Sequence, residues 1–301
     1  MAKPTISGTR GADNIAVVDG GVMVNGTLKP FSAAIIDGGF IIKANAGNDV
    51  VTGGRGPDAI YGGGGNDRLT GGGGQDTLFG GAGADTLIDT PLGATFDGGR
   101  GIDTLDLSGA TQGAFVDLGF GGNIDDDIVV TVASNGSMSF SGIQDSVQGT
   151  VSGVENVTGT GFNDALWGSD VANVIKGGAG IDQLVGHGGN DQLFGDAGSD
   201  YLMGGPGADA LRGGSGKDYF LFSSGAFADP GDGRDTVYDY TPGEDVLVFQ
   251  WSQNDLVWSS TTVNGQASLV GTYDDGRGQV VLVGISDLAN VTIIHADANW
   301  I

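Results

Sequence analysis

One apolar residue returns at every ninth position along residues 62–88, which read GGGGNDRLT, GGGGQDTLF, GGAGADTLI. Leu69, Leu78 and Leu87 each follow an aspartate by two places, behind Asp67, Asp76 and Asp85, and glycines fill most of the space between. A fixed self-similar period marks a repeat architecture. A disordered Gly/Asp linker has no need of an apolar residue at each eighth place, whereas a packed core does.

The period spans two runs. In the first, 44–106, the sixth place holds Asp49, Asp58, Asp67, Asp76, Asp85 and Asp103. The unit 89–97 has lost its glycines and its sixth-place aspartate, yet Phe96 keeps the eighth place, which predicts continuous coiling through it. The run is expected to end after Asp103, at TLDLSG. In the second, 159–221, the sixth place holds Asp164, Asp182, Asp191, Asp200, Asp209 and Asp218, with Asn173 in one unit. The eighth places are Leu166, Ile175, Leu184, Leu193, Leu202, Leu211 and Phe220. The two runs are out of phase and are read as separate. A degenerate copy, GTRGADNIA, begins at Gly8.

The remaining stretches carry strand signals of another kind. Asn25-Gly26, Asn135-Gly136 and Asn264-Gly265 each stand between apolar runs, as a type I′ hairpin turn prefers. DTVYDY, EDVLVFQW and GQVVLVGI are further strand candidates near the C-terminus. The organisation expected is an N-terminal β cap (1–43), a first repeat block (44–106), a hairpin-containing connector (107–158), a second repeat block (159–221) and a C-terminal β cap (222–301).

Composition sharpens this. Among 301 residues there are 61 glycines, seven prolines and no cysteine, with 37 acids against 12 bases and a formal charge of −25. Of the acids only Glu155 and Glu244 are glutamates. Nearly pure aspartate points to short carboxylates held in turns. The balance argues against nucleic acid, whose binding needs basic patches, and suits hard cations with oxygen ligands. Lack of cysteine excludes disulfides and thiolate metal sites. No apolar run approaches a membrane span. The N-terminus lacks the apolar segment of a secretory signal.

Units such as GGGGNDRLT and GGAGIDQLV resemble the calcium-binding nonapeptide of RTX (repeats-in-toxin) proteins. The resemblance implies an all-β fold with two right-handed parallel β-rolls. Alternate units lie on opposite sides of a flattened coil, and calcium sits between units n and n+2. Five such pairs in each run imply about ten Ca²⁺, held by the twelve sixth-place aspartates together with backbone carbonyls. The terminal IIHADANWI is similar to the uncleaved end of type I secretion substrates, which implies that machinery as a partner and an extracellular, secreted location.

His187 and His295 are read as incidental. HExxH, GxSxG and a Walker loop are all missing from the sequence. The expectation is therefore a non-enzymatic, calcium-dependent protein, structural or adhesive at the cell surface or matrix, with cell-surface polysaccharide or other copies of itself as partners. A self-assembling surface-layer or filament subunit is the alternative within that class. A secreted hydrolase with its site in 107–158 or 222–301 is the alternative outside it.

Overall fold

The computed structural model describes residues 3–19, 21–30, 37–89, 94–111, 113–119, 123–125, 129–132, 138–141, 149–222, 233–249, 256–273 and 278–295. Among these, every regular element is a β-strand. The turn at Asn135-Gly136 and the terminal signal candidate at 296–301 lie outside the described residues. Among the described residues no helix is long and apolar enough to cross a membrane.

The chain divides into two compact units, residues 1–111, 116–126 and 144–158 against residues 112–115, 127–143 and 159–301. In the first unit, successive nine-residue turns alternate between two parallel sheets. One contains Ile41–Ala46, Ala59–Gly64, Thr77–Ala82 and Thr95–Arg100; the other contains Val50–Thr52, Arg68–Thr70, Thr86–Ile88 and Thr104–Asp106. The register is a strict 18 residues: Leu69 lies opposite Leu87, and Leu87 opposite Leu105. Parallel neighbours stand about 4.8 Å apart, so each eighth-place side chain rests on the one two turns away. Ile60, Leu69, Leu78, Leu87, Phe96 and Leu105 are all fully buried between the sheets. The unit 89–97 keeps its place, since Phe96 pairs with Leu78.

The second unit repeats the plan. Val174–Gly180, Gln192–Gly198 and Ala210–Ser215 form one sheet, and Ala165–Trp167, Gln183–Val185, Tyr201–Met203 and Tyr219–Phe222 the other. Leu184 lies opposite Leu202 and Leu193 opposite Leu211, all fully buried.

The coil does not stop after Asp103, contrary to the expectation from TLDLSG. Thr104–Asp106 pairs in parallel with Asn156–Thr158, and Thr95–Asp97 with Thr150–Ser152. A parallel ladder needs only a strand at the right height, and after leaving at Asp106 the chain supplies two, from Thr150 and from Asn156. In the same way Thr5–Ser7 and Asn14–Val18 add parallel strands at the start of the first unit. In the second unit Arg234–Val237 and Val246–Phe249 extend the two sheets beyond Ala210–Ser215 and Tyr219–Phe222. Asn25-Gly26 and Asn264-Gly265 occupy hairpin turns with positive φ at both residues, between Gly21–Val24 and Thr27–Pro30 and between Val257–Val263 and Gln266–Tyr273.

The turns depend on glycine where the backbone is left-handed. Second- and fourth-place residues have positive φ through most of both runs, and a Cβ on Gly198 would overlap the Gly180 carbonyl oxygen on the neighbouring turn. His187, Asp196 and Asn45 fill second places with positive φ without being glycine. That is a position open to short polar residues and histidine at a modest cost.

Candidate metal centre: rows of buried aspartates

All twelve sixth-place aspartates are buried, with 0–3 % of their surface exposed. Stacking at a period of 18 residues sorts them into rows. Asp49, Asp67, Asp85 and Asp103 form one row of the first unit, and Asp58 and Asp76 another. In the second unit Asp164, Asp182, Asp200 and Asp218 form one row, and Asp191 and Asp209 follow Asn173 in the other.

Within a row each Oδ1 accepts the backbone N–H of the sixth-place residue one turn back on the same side. Asp67 donates to Asp85 at 2.7 Å, Asp182 to Asp200 at 2.9 Å, and Asp191 to Asp209 at 2.8 Å. The second oxygen is differently placed. Oδ2 of Asp49, Asp67, Asp76, Asp85 and Asp103, and of Asp182, Asp191, Asp200 and Asp218, is buried without a hydrogen-bond donor. In every unit but that of Asp49, whose first place is Ala44, it points into the notch above the first-place glycine. The point where a Cβ of Gly80 would stand is 2.5 Å from both Asp85 Oδ2 and the Gly98 carbonyl oxygen. At Gly195 the same point is 2.5 Å from Asp200 Oδ2 and from Gly213 O. Only glycine leaves this space, in which a carboxylate and a carbonyl two turns apart face each other.

Electrostatics makes the arrangement costly without a cation. Burial pushes the Asp182 and Asp191 carboxyls up to about 8 and Asp200 to about 7, against the backbone N–H bonds that favour the charged form. Asp67, Asp103, Asp164 and Asp218 rise to about 6, again chiefly through burial. Repulsion within the rows adds to this, from Asp164 on Asp182 and from Asp209 on Asp191.

The donor set fits a hard divalent cation. It consists of carboxylate and carbonyl oxygens, and no group of three or more carboxylate or imidazole side chains converges among the described residues. A cation in these notches therefore depends on backbone carbonyls for much of its coordination, which is what glycine turns supply.

Asp58 and Asp164 differ from the others. Their Oδ2 atoms accept the second-place N–H of their own turns, from Gly54 and Thr160, each at 2.7 Å. Asn173 closes the same way on the Ser169 N–H, and Asp13 on that of Thr9. The first member of each row is thus a self-closed turn.

The rows run past the two blocks, into the degenerate copy at Gly8, whose sixth place is Asp13, and into Glu155, Asp235 and Asp245, which the period did not mark. Asp13 donates its N–H to Asp49, Asp103 to Glu155, Asp209 to Asp235, and Asp218 to Asp245. Asp235 and Asp245 each precede a fully buried apolar residue by two places, Val237 and Leu247. That Asp-x-apolar signature is visible in the sequence once the glycines are no longer required. Asp89, at the first place of the degenerate unit, turns its carboxylate into the Gly71 notch beside that of Asp76. A second ladder also went unread. Fifth-place asparagines cap the turn two units on, Asn48 Oδ1 accepting from Asn66 N at 2.9 Å and Asn66 Oδ1 from Ala84 N at 3.0 Å.

Two flattened coils with inward aspartate rows define a parallel β-roll of the cation-binding type. The sequence family agrees: the model of the RTX calcium-binding nonapeptide repeat matches residues 41–60, 53–87, 150–184, 167–202 and 194–226. Residues 41–87 and 150–226 carry the RTX calcium-binding nonapeptide repeat, so both runs are made of it. Among solved structures it is similar to the extracellular lipase LipA from Serratia marcescens, with 22 % identity and a TM-score of 0.34 over 85 % of this chain and 42 % of the lipase. It is also similar to the AlgE6R3 subunit of the Azotobacter vinelandii mannuronan C5-epimerase, with 24 % identity and a TM-score of 0.22 over 46 % of this chain and 81 % of the subunit. No curated protein matches it.

Proposed function

We propose that this is a secreted, calcium-folded protein with a structural or adhesive role at the bacterial cell surface or matrix. The sixth-place aspartates and the facing carbonyls hold about ten Ca²⁺, one between neighbouring same-side turns. The observation that carries the proposal is the set of buried Oδ2 atoms without donors, of which those of Asp67, Asp85, Asp103, Asp182, Asp191 and Asp200 share a glycine notch with a carbonyl of the next same-side turn. Calcium supplies there the positive charge that the buried carboxylates lack. The protein holds the oxygens in register, keeps water from the Oδ1 bonds and releases protons as the metal enters.

Extracellular modules of this kind bind calcium at about 10⁻⁴–10⁻³ M, so the chain stays largely unfolded in a cytosol and folds after export. The flat outward faces support a contact with repeating polymers such as polysaccharide. Tyr61 stacks on Phe79 at 4.7 Å in the first unit. In the second, Lys176, Phe194, Arg212 and Tyr238 alternate cation and ring, with the Arg212 guanidinium 5.2 Å from the Phe194 centroid and 4.2 Å from that of Tyr238. A second reading, self-association into surface material, is supported by charge: about ten Ca²⁺ offset most of the −25 that keeps copies apart.

Circular dichroism titrated with calcium tests the first reading, and full β-structure in excess chelator would refute it. Polysaccharide co-sedimentation in calcium tests the adhesive role. Turnover of an ester or glycan by the purified chain would place it instead among secreted hydrolases.

A further inference from the structure

Residues 256–273 contain no acid and no base, in a chain with 37 acids and 12 bases. They form the hairpin of Val257–Val263 with Gln266–Tyr273, and Val257–Val263 is the edge of its sheet. Among the described residues its sole strand partner is Gln266–Tyr273. Five residues of this edge are neither Gly nor Ser, and Val257 is 66 % exposed. Long, uncharged, β-branched edges are those that natural proteins normally blunt with lysine, proline or a bulge. This one has none of the three.

Its hydrogen-bonding groups are ordered. Val263 and Gln266 flank a two-residue turn and so form a narrow, hydrogen-bonded pair. Pairing alternates along an antiparallel ladder, so the N–H and C=O groups of Trp258, Ser260 and Thr262 point away from Gln266–Tyr273. The sequence VWSSTTV is also nearly symmetric about Ser260. An antiparallel copy centred there sets Val257 against Val263, Trp258 against Thr262, Ser259 against Thr261, and Ser260 against itself. The residues whose backbone groups face outward pair with one another in this register. Aromatic and β-branched side chains meet across it, and such pairs stabilise sheets.

We propose that Val257–Val263 is a homodimer interface, in which two calcium-loaded copies join edge to edge about a two-fold axis through Ser260. The proposal rests on the self-association reading and gives it a surface and a stoichiometry. An isologous contact closes on itself, so this edge yields a dimer and no open polymer.

The test is sedimentation velocity on the full chain in millimolar calcium at tens of micromolar protein. Wild type sediments as a dimer. Ser260→Lys sets two like charges opposite each other at the axis and sediments as a monomer, as does Ser260→Asp. An equimolar mixture of the two variants recovers the dimer. Ser260→Pro, which removes an outward N–H and leaves the hairpin bonds, is also monomeric. Each variant keeps the calcium-induced circular dichroism of wild type, which sets lost pairing apart from lost folding; if proline fails this control, the charged pair alone decides. A wild type that assembles while Ser260→Lys assembles equally overturns this edge and leaves self-association standing through another surface. A wild type that is monomeric throughout overturns both.

Discussion

Oδ1 of Asp85 accepts the backbone N–H of Asp67 at 2.7 Å, while the second oxygen of each is buried with no donor. One carboxylate thus has two separable duties, a structural bond along the row and an open valence toward the glycine notch.

Asp191 separates those duties. Asp191→Asn retains an acceptor for the Asn173 N–H, 2.8 Å away, and loses the charge. It is expected to raise the calcium midpoint while leaving the metal-free chain no less structured than wild type. Asp191→Ala also strands a buried N–H, at about 1–3 kcal/mol, and weakens both states. Asp287→Ala, at an exposed position, is the control. Calcium-titrated circular dichroism gives the three midpoints, and equal values for Asp191→Ala and Asp287→Ala would refute the site.

Leu193 is fully buried against Leu211 and Ile175. Leu193→Ala should destabilise the calcium-bound second roll by about 2–5 kcal/mol, read from denaturant melts. A loss below that range would mean that the thin core collapses around the gap.

Gly198 has φ of +149°, and a Cβ there overlaps the Gly180 carbonyl. Gly198→Ala is expected to cost about 1–3 kcal/mol in backbone strain alone, besides pushing two turns apart. At Gly161 a Cβ meets nothing within 4 Å, and Gly161→Ala should leave the thermal midpoint in calcium within a few degrees of wild type.

pH acts in opposite senses with and without metal. Burial raises Asp182 and Asp191 to about 8 and Asp200 to about 7 in the folded chain, above their unfolded values. The metal-free fold therefore holds protons that the unfolded chain has released. Its stability is greatest below the ordinary carboxylate range and is lost as pH rises through about 6 to 8. In chelator, β-structure should be greater at about pH 5 than at about pH 8. Calcium must displace those protons, so its midpoint should fall over the same interval, with proton release visible by calorimetry in buffers of different ionisation enthalpy. A calcium midpoint independent of pH would contradict the buried rows.

The roll was legible because its two demands repeat in register. Leu69 and Leu87 are core, Asp67 and Asp85 face the notch, and a nine-residue spacing states both. What was missed lacks the glycine head. Glu155 continues a row from a turn three residues shorter than the others, as Val157 follows Val151 by six places. Asp235 and Asp245 sit at the same height as their row-mates, but 26 and 27 residues farther on, because excursions lengthen the connection without moving the strand. A ladder constrains height, and sequence distance reports height only while the loops stay constant. The asparagine caps at Asn48 and Asn66 went unread since fifth places vary freely elsewhere.

The 18-residue register carries a parity. Excising residues 186–194 would exchange the two sheets for every later turn, sending Arg212 from the sheet it shares with Lys176 to the opposite one and setting mismatched rows against each other. Excising 186–203 would return each later strand to its own sheet one step nearer. Lengthening or shortening of such a chain by whole pairs of units preserves what each face presents, while an odd unit inverts it.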